Sequence, residues 1–370
     1  MKILQVFDFL SLPHGGGTVD VVNKLSQALT KRGHEVTICI GDYELDKKYL
    51  ETLGNVKIRM FHSWFNRYGF YIMPSLVKLD VKEFDVIHFH CYRSFQNIVI
   101  CSSARLNNIP YMIDAHGSTV ELPGAKRIIK KLYDMLFGHK DLKYASMVIA
   151  ETAVGIAEYE KLGVNAIKAR VIHPLLDIGE FKTLPEAGLF RAKYHIKERC
   201  LILFVGRIHW AKGLEILFKA IEGLENIRLV IVGQDAGFQK TLERLGSSKI
   251  LFTGFLEGKA KLSAFVDADV LVQPSRNEAG VRPSLEAILC GTPVIVTKDT
   301  GAGKEIAKMD GGYLVDYGNV GMLRDAIKYI LKNPEEAKEK TQKAKSYIKS
   351  NLSIDKQIVQ YEELYTEAVG

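Results

Sequence analysis

The chain has 370 residues, 47% hydrophobic and 25% charged, with a net charge of +7. That length exceeds one ordinary core, and the balance of apolar and charged residues excludes a disordered chain, leaving a soluble protein of two domains. The mild basic excess suits an anionic partner such as a nucleotide, a phosphorylated acceptor or an acidic lipid. The basic residues are dispersed and no reader motif occurs, which sets nucleic acid aside.

Met1-Lys2 lead straight into ILQVFDFL, read as a first buried strand rather than a signal peptide. Short apolar runs then alternate with helical ones. Residues 3–9, a helix over Val19–Arg32 and residues 34–41 form the first strand–helix–strand unit. Further strands are expected at 56–61, 85–90, 109–116 and 146–151. The alternation pauses over 166–181, then resumes with strands at 201–207, 227–233, 249–255, 269–275 and 292–298, a helix from Lys212 and another from about Pro283. Two such runs predict two doubly wound α/β domains with parallel sheets, over 1–176 and 177–352. The closing segment 353–370 is an amphipathic helix with Ile354, Ile358, Tyr361, Leu364 and Tyr365 on one face, expected to pack back on the first domain. The lysine-rich stretch Ala337–Lys349 reads as a solvated helix face. Five scattered cysteines, Cys39, Cys91, Cys101, Cys200 and Cys290, show no C-x-x-C pair. They suggest buried thiols in a reducing, cytoplasmic compartment. No apolar run approaches the roughly 18 residues of a membrane span.

Several motifs carry chemistry. His14-Gly15-Gly16-Gly17-Thr18 follows the first strand, where glycines admit close approach of a ligand to backbone and a helix start favours an anion. It is not the G-x-G-x-x-G fingerprint, and no G-x-S-x-G elbow exists to make it an esterase loop. His116, in IDAHGS, stands at a strand end. Arg207 and Lys212 bracket the loop after LILFVG, where two cations can neutralise a departing diphosphate. Glu278 and Glu286 lie eight positions apart in PSRNEAGVRPSLEAILCGTPVI. The spacing predicts one carboxylate in a loop and one in the first helical turns, beside backbone amides that favour phosphate. The one Asp-x-Asp, Asp267-Ala268-Asp269, leads directly into a buried strand.

The paired glutamates resemble the Glu-seven residues-Glu signature of retaining glycosyltransferases of family 4, whose fold is GT-B. GHEVTI (33–38), Gly206-Arg207 with Lys212-Gly213, VGQDAG (232–237) and TGFLEG (253–258) are similar to further family segments in the same order. The resemblance spans the whole chain and is densest from 201 to 306. It implies sugar transfer from a nucleotide-sugar donor, UDP- or GDP-linked, with retention, no cofactor and no required metal. It implies that Arg207 and Lys212 stabilise the departing diphosphate, Glu278 with Gly280 and Val281 holds the sugar, and Glu286 holds the ribose. His116 would lie close to the donor sugar, and Gly16, Gly17, Gly206, Gly233, Gly254 and Phe255 would line the donor site. The run Glu278-Ala279-Gly280-Val281-Arg282 departs from the family pattern, losing an aromatic and adding an arginine, and His209-Trp210 is unusual beside the Arg–Lys loop.

The acceptor, a carbohydrate or a lipid-linked molecule, is expected on the first domain. Segment 125–140 is amphipathic: Ile128, Ile129, Leu132, Tyr133, Leu136 and Phe137 form an apolar face flanked by Lys126, Arg127, Lys130 and Lys131. The favoured reading packs that face on the sheet. The other lays it on an anionic membrane, placing the protein peripherally on the inner face. A GT-B epimerase, or a non-catalytic nucleotide-sugar-binding protein, would share the architecture. The complete Arg207, Lys212, Glu278 and Glu286 set argues for catalysis.

Overall fold

The strand runs are apolar on both faces, which suits parallel strands covered by helices on either side. The computed structural model describes residues 1–43, 45–67, 70–120, 126–246 and 248–370. The chain divides into two units, Met1–Leu175 with Ile354–Gly370, and Leu176–Ser353.

The first unit contains β1 (Lys2–Val6), β2 (Glu35–Gly41), β3 (Lys57–Phe61), β4 (Phe65–Arg67), β5 (Phe70–Ile72), β6 (Val86–Phe89), β7 (Tyr111–Asp114), β8 (Met147–Ala150) and β9 (Ala169–Val171). Strands β4 and β5 form a separate antiparallel pair. The other seven form one parallel sheet in the order β3-β2-β1-β6-β7-β8-β9. The second unit holds β10 (Cys200–Val205), β11 (Ile227–Val232), β12 (Ile250–Gly254), β13 (Val270–Gln273), β14 (Val294–Thr297) and β15 (Tyr313–Val315), again all parallel, in the order β12-β11-β10-β13-β14-β15. In each sheet the winding direction reverses once, between β1 and β6 and between β10 and β13. Connecting helices diverge there, and the strand ends open onto a crevice suited to a ligand.

Alternation sorts the cores. Leu4 and Val6 join Ile87, Phe89 and Ile113 on one face of the first sheet. On the opposite face Ile3 joins Val86, Met112 and the helix Ile354–Val369 through Ile358, Tyr361, Leu364 and Tyr365. In the second sheet Leu201, Leu203 and Val205 point one way, Ile202 and Phe204 the other.

Three local expectations are revised. The first helix spans Leu12–Lys31, earlier than the predicted Val19, and is interrupted at Gly16, with φ +52° and ψ −127°. The glycine segment therefore lies inside the first helical turns; the side chain of His14 is outside the described residues. The predicted pause over 166–181 contains the short strand β9. In the second unit a 3-10 turn, Trp210–Lys212, precedes the helix Leu214–Ile221.

The predicted amphipathic run forms the helix Lys126–Tyr133, a π turn over Asp134–Gly138 and the helix His139–Tyr144. Ala125 and the side chain of Lys126 fall outside the described residues. The favoured packing of its apolar face on the sheet is not realised. Ile128, Ile129, Leu132, Leu136 and Phe137 are 76, 58, 50, 56 and 37% exposed, and Tyr133 alone turns inward. The polar side of the segment decides this. Asp134 is buried, with Oδ1 and Oδ2 accepting from Arg93 Nε and Nη2 at 2.9 and 2.8 Å, and Oδ1 also from the Tyr92 hydroxyl at 2.9 Å. Asp141, also buried, accepts from Arg105 Nη1 at 2.6 Å. Anchored on these buried pairs, the segment turns its apolar stripe outward. Replacing Asp134 with alanine leaves the Arg93 guanidinium buried without its counter-charge. A loss of about 3–5 kcal/mol is expected in denaturant unfolding; a loss below about 1 kcal/mol would show that the pair does not hold this segment.

Candidate active site

In the second unit the switch point is built from the loops that follow β10 and β13. Gly206 N donates to Val232 O at 2.9 Å and Gly233 N to Gly254 O at 2.9 Å, so three of the predicted glycines align across the ends of β10, β11 and β12. A Cβ on Gly233 would fall on the Gly206 carbonyl. Only a bare backbone permits this approach. Gly254 is exposed with φ +74°, and Phe255 after it is half-buried. Ile208 N donates to Gln234 O at 2.8 Å, bracing the Arg207 loop against the loop after β11.

Arg207 is exposed on that loop. His209 caps the following turn, its Nδ1 accepting from Ala211 N at 3.3 Å. The turn ends at Gly213, in the left-handed region at φ +66°, where a Cβ would strike the Pro274 carbonyl. This contact brings the two switch-point loops together, and Arg276 N donating to Ala211 O at 2.7 Å ties them. The result places Lys212 Nζ against Glu278 Oε2. Lys212 and Glu278 side chains are 19 and 27% exposed. Burial, then the nearby Arg207, push the Lys212 ammonium down to about 7. Contact with the Glu278 carboxylate acts in the opposite direction, and the residual exposure softens the burial penalty, so we take the pair as charged at neutral pH. Glu278 O also accepts from Gly301 N at 2.6 Å, which fixes its backbone.

Gly280 and Val281 lead into the helix Arg282–Cys290, with a proline in its first turn. Glu286 faces inward from that helix, 5% exposed. Its Oε1 accepts from Lys261 Nζ and Arg282 Nε, both at 3.0 Å. Burial alone would raise its carboxyl; Lys261 and Arg282 outweigh that and hold it below the usual carboxylate range. The sequence reading missed Lys261, which no motif marks, and assigned no partner to Arg282. It also missed Arg276, whose guanidinium lies 5.3 Å from the Trp210 ring and 4.6 Å from that of Tyr317. Asp267 and Asp269 hold loop backbone. Asp267 accepts from Arg191 N at 2.9 Å, and Asp269 from Leu201 N at 2.7 Å and Arg191 Nη2 at 2.9 Å.

In the first unit Gly16 and Gly17 follow β1, and His116 follows β7 at φ +44°. His116 is not isolated. Its Nε2 lies 3.1 Å from Nδ1 of His90, at the end of β6, with the rings nearly coplanar at 9°. His90 Nε2 contacts Gln5 Oε1, Gln5 Nε2 donates to the Tyr365 hydroxyl at 3.1 Å, and that hydroxyl lies 2.9 Å from His88 Nδ1. Burial holds His88 and His90 well below the ordinary histidine value, so each ring carries one proton. The partners then fix the order. Gln5 Oε1 accepts from His90 Nε2–H, leaving His90 Nδ1 to accept from His116 Nε2–H. His116 Nδ1 faces Asp114 Oδ1 and Glu151 Oε1, each at 3.5 Å. Burial raises Asp114 to about 6, with His116 opposing. Nε2 of His116 is therefore engaged by His90 while its Nδ1 faces two carboxylates, all within its own unit. The His-x-His pattern on a buried strand was the legible sign of this network.

Comparison with known proteins agrees with this architecture. Residues 188–347 match the family model for glycosyl transferases group 1, and residues 15–180 that for glycosyltransferase family 4. An uncharacterized glycosyltransferase of Methanocaldococcus jannaschii is 23% identical over 99% of both chains. A GDP-mannose-dependent alpha-(1-6)-phosphatidylinositol dimannoside mannosyltransferase of Mycobacterium tuberculosis is 24% identical over 94% of this chain and 92% of its own. Among solved structures, Anabaena HepE in complex with UDP and glucose superposes with a TM-score of 0.80 at 18% identity, covering 99% of each chain. WaaG, a glycosyltransferase involved in lipopolysaccharide biosynthesis, superposes at 0.70 and 17%, covering 98% of this chain and 99% of its own. With two parallel-sheet Rossmann-like domains of the GT-B fold, the chain belongs to the group 1, family 4 glycosyltransferases.

Proposed function

We propose that this enzyme moves a hexosyl unit from a nucleoside diphosphate sugar to an acceptor hydroxyl with retention, by front-face displacement. The observation that carries the reading is the meeting of Lys212 with Glu278, 66 positions apart in sequence, beside Arg207 at the switch point of the second unit. Arg207 and Lys212 receive the diphosphate. Glu278, released from Lys212, accepts from sugar hydroxyls together with the Gly280–Val281 backbone. Glu286, kept ionised by Lys261 and Arg282, accepts from the ribose. Gly206 and Gly233 let the backbone approach the phosphates, and Gly254 and Phe255 meet the base; Gly16 and Gly17, at the interrupted start of the first unit's first helix, are that unit's glycines for the donor.

Glu286 keeps both its cations, and Glu278, once released from Lys212, is engaged by the sugar hydroxyls, so neither serves as a nucleophile in this reading. A covalent glycosyl intermediate is therefore not the route proposed. Instead the C1–O bond to phosphate breaks as the acceptor oxygen bonds to C1 on the same face. The acceptor proton passes to the departing phosphate oxygen. Arg207 and Lys212 stabilise the charge that develops there. Because Asp267 and Asp269 are committed to backbone, the two cations serve where a metal would otherwise stand, and chelator should leave turnover unchanged. His116 is positioned by His90 rather than acting as a free base. The donor is UDP- or GDP-linked: one related structure holds UDP, and the mycobacterial relative is GDP-mannose-dependent. That relative is a phosphatidylinositol dimannoside mannosyltransferase, which supports a carbohydrate or lipid-linked acceptor here.

Nucleoside diphosphates at roughly a hundredfold excess over Kd should stabilise the protein by about 2.7 kcal/mol. The shift should belong to one base series and largely vanish in Glu286→Gln, which keeps the side-chain volume. Equal shifts in both proteins would remove Glu286 from the site, and no shift with any nucleotide would sink the donor-site reading.

Lys212 supplies charge only when protonated, and burial beside Arg207 draws its ammonium below the ordinary lysine value while contact with Glu278 keeps it charged at neutral pH. Donor-limited kcat/KM should therefore fall as pH rises through a value above neutrality and below the ordinary lysine range, and Lys212→Arg should shift the limb out of range. An unmoved limb would assign it to another group.

Replacing His90 with phenylalanine removes the Nδ1 acceptor at similar volume. A roughly 10- to 100-fold fall in kcat with unchanged donor affinity is expected from a misplaced neighbour. A wild-type rate would take His116 out of the reaction.

A further inference from the structure

The outward-facing side of residues 127–144 is not explained by folding or by the donor site. Six large apolar side chains, Ile128, Ile129, Leu132, Met135, Leu136 and Phe137, lie there between 37 and 76% exposed. Patches of this kind mark interaction surfaces rather than ordinary solvated helix. The segment's own exposed charges have one sign. Arg127, Lys131, Lys140 and Lys143 are exposed, whereas the two acids of the segment, Asp134 and Asp141, are buried against Arg93 and Arg105. No carboxylate of this segment therefore reaches solvent. Among the described residues no helix is long and apolar enough to cross a membrane.

We propose that this face docks on the surface of an anionic lipid bilayer, the helix lying in the interfacial plane. The apolar stripe enters the headgroup–acyl boundary, and the cations meet lipid phosphates. The charge pattern selects this occupant over a second copy of the chain. A two-fold contact sets the same patch against itself and would bring four cations against four. A membrane presents the opposite charge together with an apolar interior. The surface stands on these observations alone and does not depend on the donor-site reading. It extends that reading by placing the acceptor hydroxyl among molecules carried at a lipid surface.

Flotation of the full chain with vesicles tests the proposal. Wild-type protein should bind vesicles of phosphatidylglycerol and phosphatidylcholine at least roughly ten-fold tighter than phosphatidylcholine alone, and more weakly as salt rises. Leu132→Glu with Leu136→Glu should abolish binding. Lys131→Gln with Lys140→Gln should weaken it roughly five-fold per charge removed. These positions are exposed, so Tm and the nucleotide-induced shift should stay at wild-type values, separating loss of docking from loss of fold or of donor binding. Absence of wild-type binding, equal binding to neutral vesicles, or unchanged binding by the leucine variant would each overturn the proposal. So would a wild-type dimer in light scattering that the leucine variant dissociates, which would make the face a contact between copies.

Discussion

The reversal of winding between β10 and β13 is the constraint on which the second unit's site depends. Parallel strands send successive helices to one face until the direction changes, and at the change two neighbouring strands release their loops to opposite sides. Only there can the loop of Arg207 and Lys212 approach the loop of Glu278. The approach is close enough that Gly213 must lack a side chain beneath the Pro274 carbonyl. The first unit repeats the geometry. The loops after β1 and β6 belong to its switch point, and His116, one strand further on, is drawn towards it by His90. The same topological rule thus places the principal polar clusters of both units at strand ends, with β-branched and leucine residues filling the sheets behind them.

Charge pairing prepares these clusters for a ligand that is itself charged. Lys212 gives up water to sit by Glu278; burial beside Arg207 lowers its ammonium, and the carboxylate opposes that shift. In the proposed reaction a diphosphate takes the place of that carboxylate as the lysine's counter-charge. Glu286 is treated differently. Two cations on one oxygen hold its charge, so its carboxylate is already ionised and its side chain fixed. In the proposed reaction one glutamate exchanges partners and the other keeps them, a division that follows whether its cation comes from the loop after β10 or from neighbouring helices.

Much of the fold was legible because buried parallel strands write themselves as continuous apolar runs, and the alternation of 201–207, 227–233, 249–255, 269–275 and 292–298 with helical stretches leaves little choice of class. Element edges were less legible. Gly16 interrupts a helix rather than preceding one, and β9 has only three residues, too few to display a period. In the site, Arg207, Lys212, Glu278 and Glu286 were marked by spacing. Their partners were not, because contacts such as Lys261 with Glu286 join residues 25 apart through packing that no local pattern encodes. His116 shows the limit most plainly. Its motif was visible, but its engagement by His90, Asp114 and Glu151 depends on three strands lying side by side. The ring described is a fixed member of a network and not a free base.

Segment 127–144 shows how such long-range pairs reach the surface. Amphipathic periodicity predicts an apolar face and leaves open which side the protein covers. Burying Asp134 against Arg93 and Asp141 against Arg105 settles the rotation, since an apolar-inward helix would carry both acids into water and strand two arginines beneath it. The pairs have a second effect. They withdraw the segment's only negative charges from its outer side, so the segment's own exposed charges beside the apolar stripe are all cations. The buried ion pairs that hold the helix in place are therefore also what gives its outer surface the composition of a bilayer-binding face.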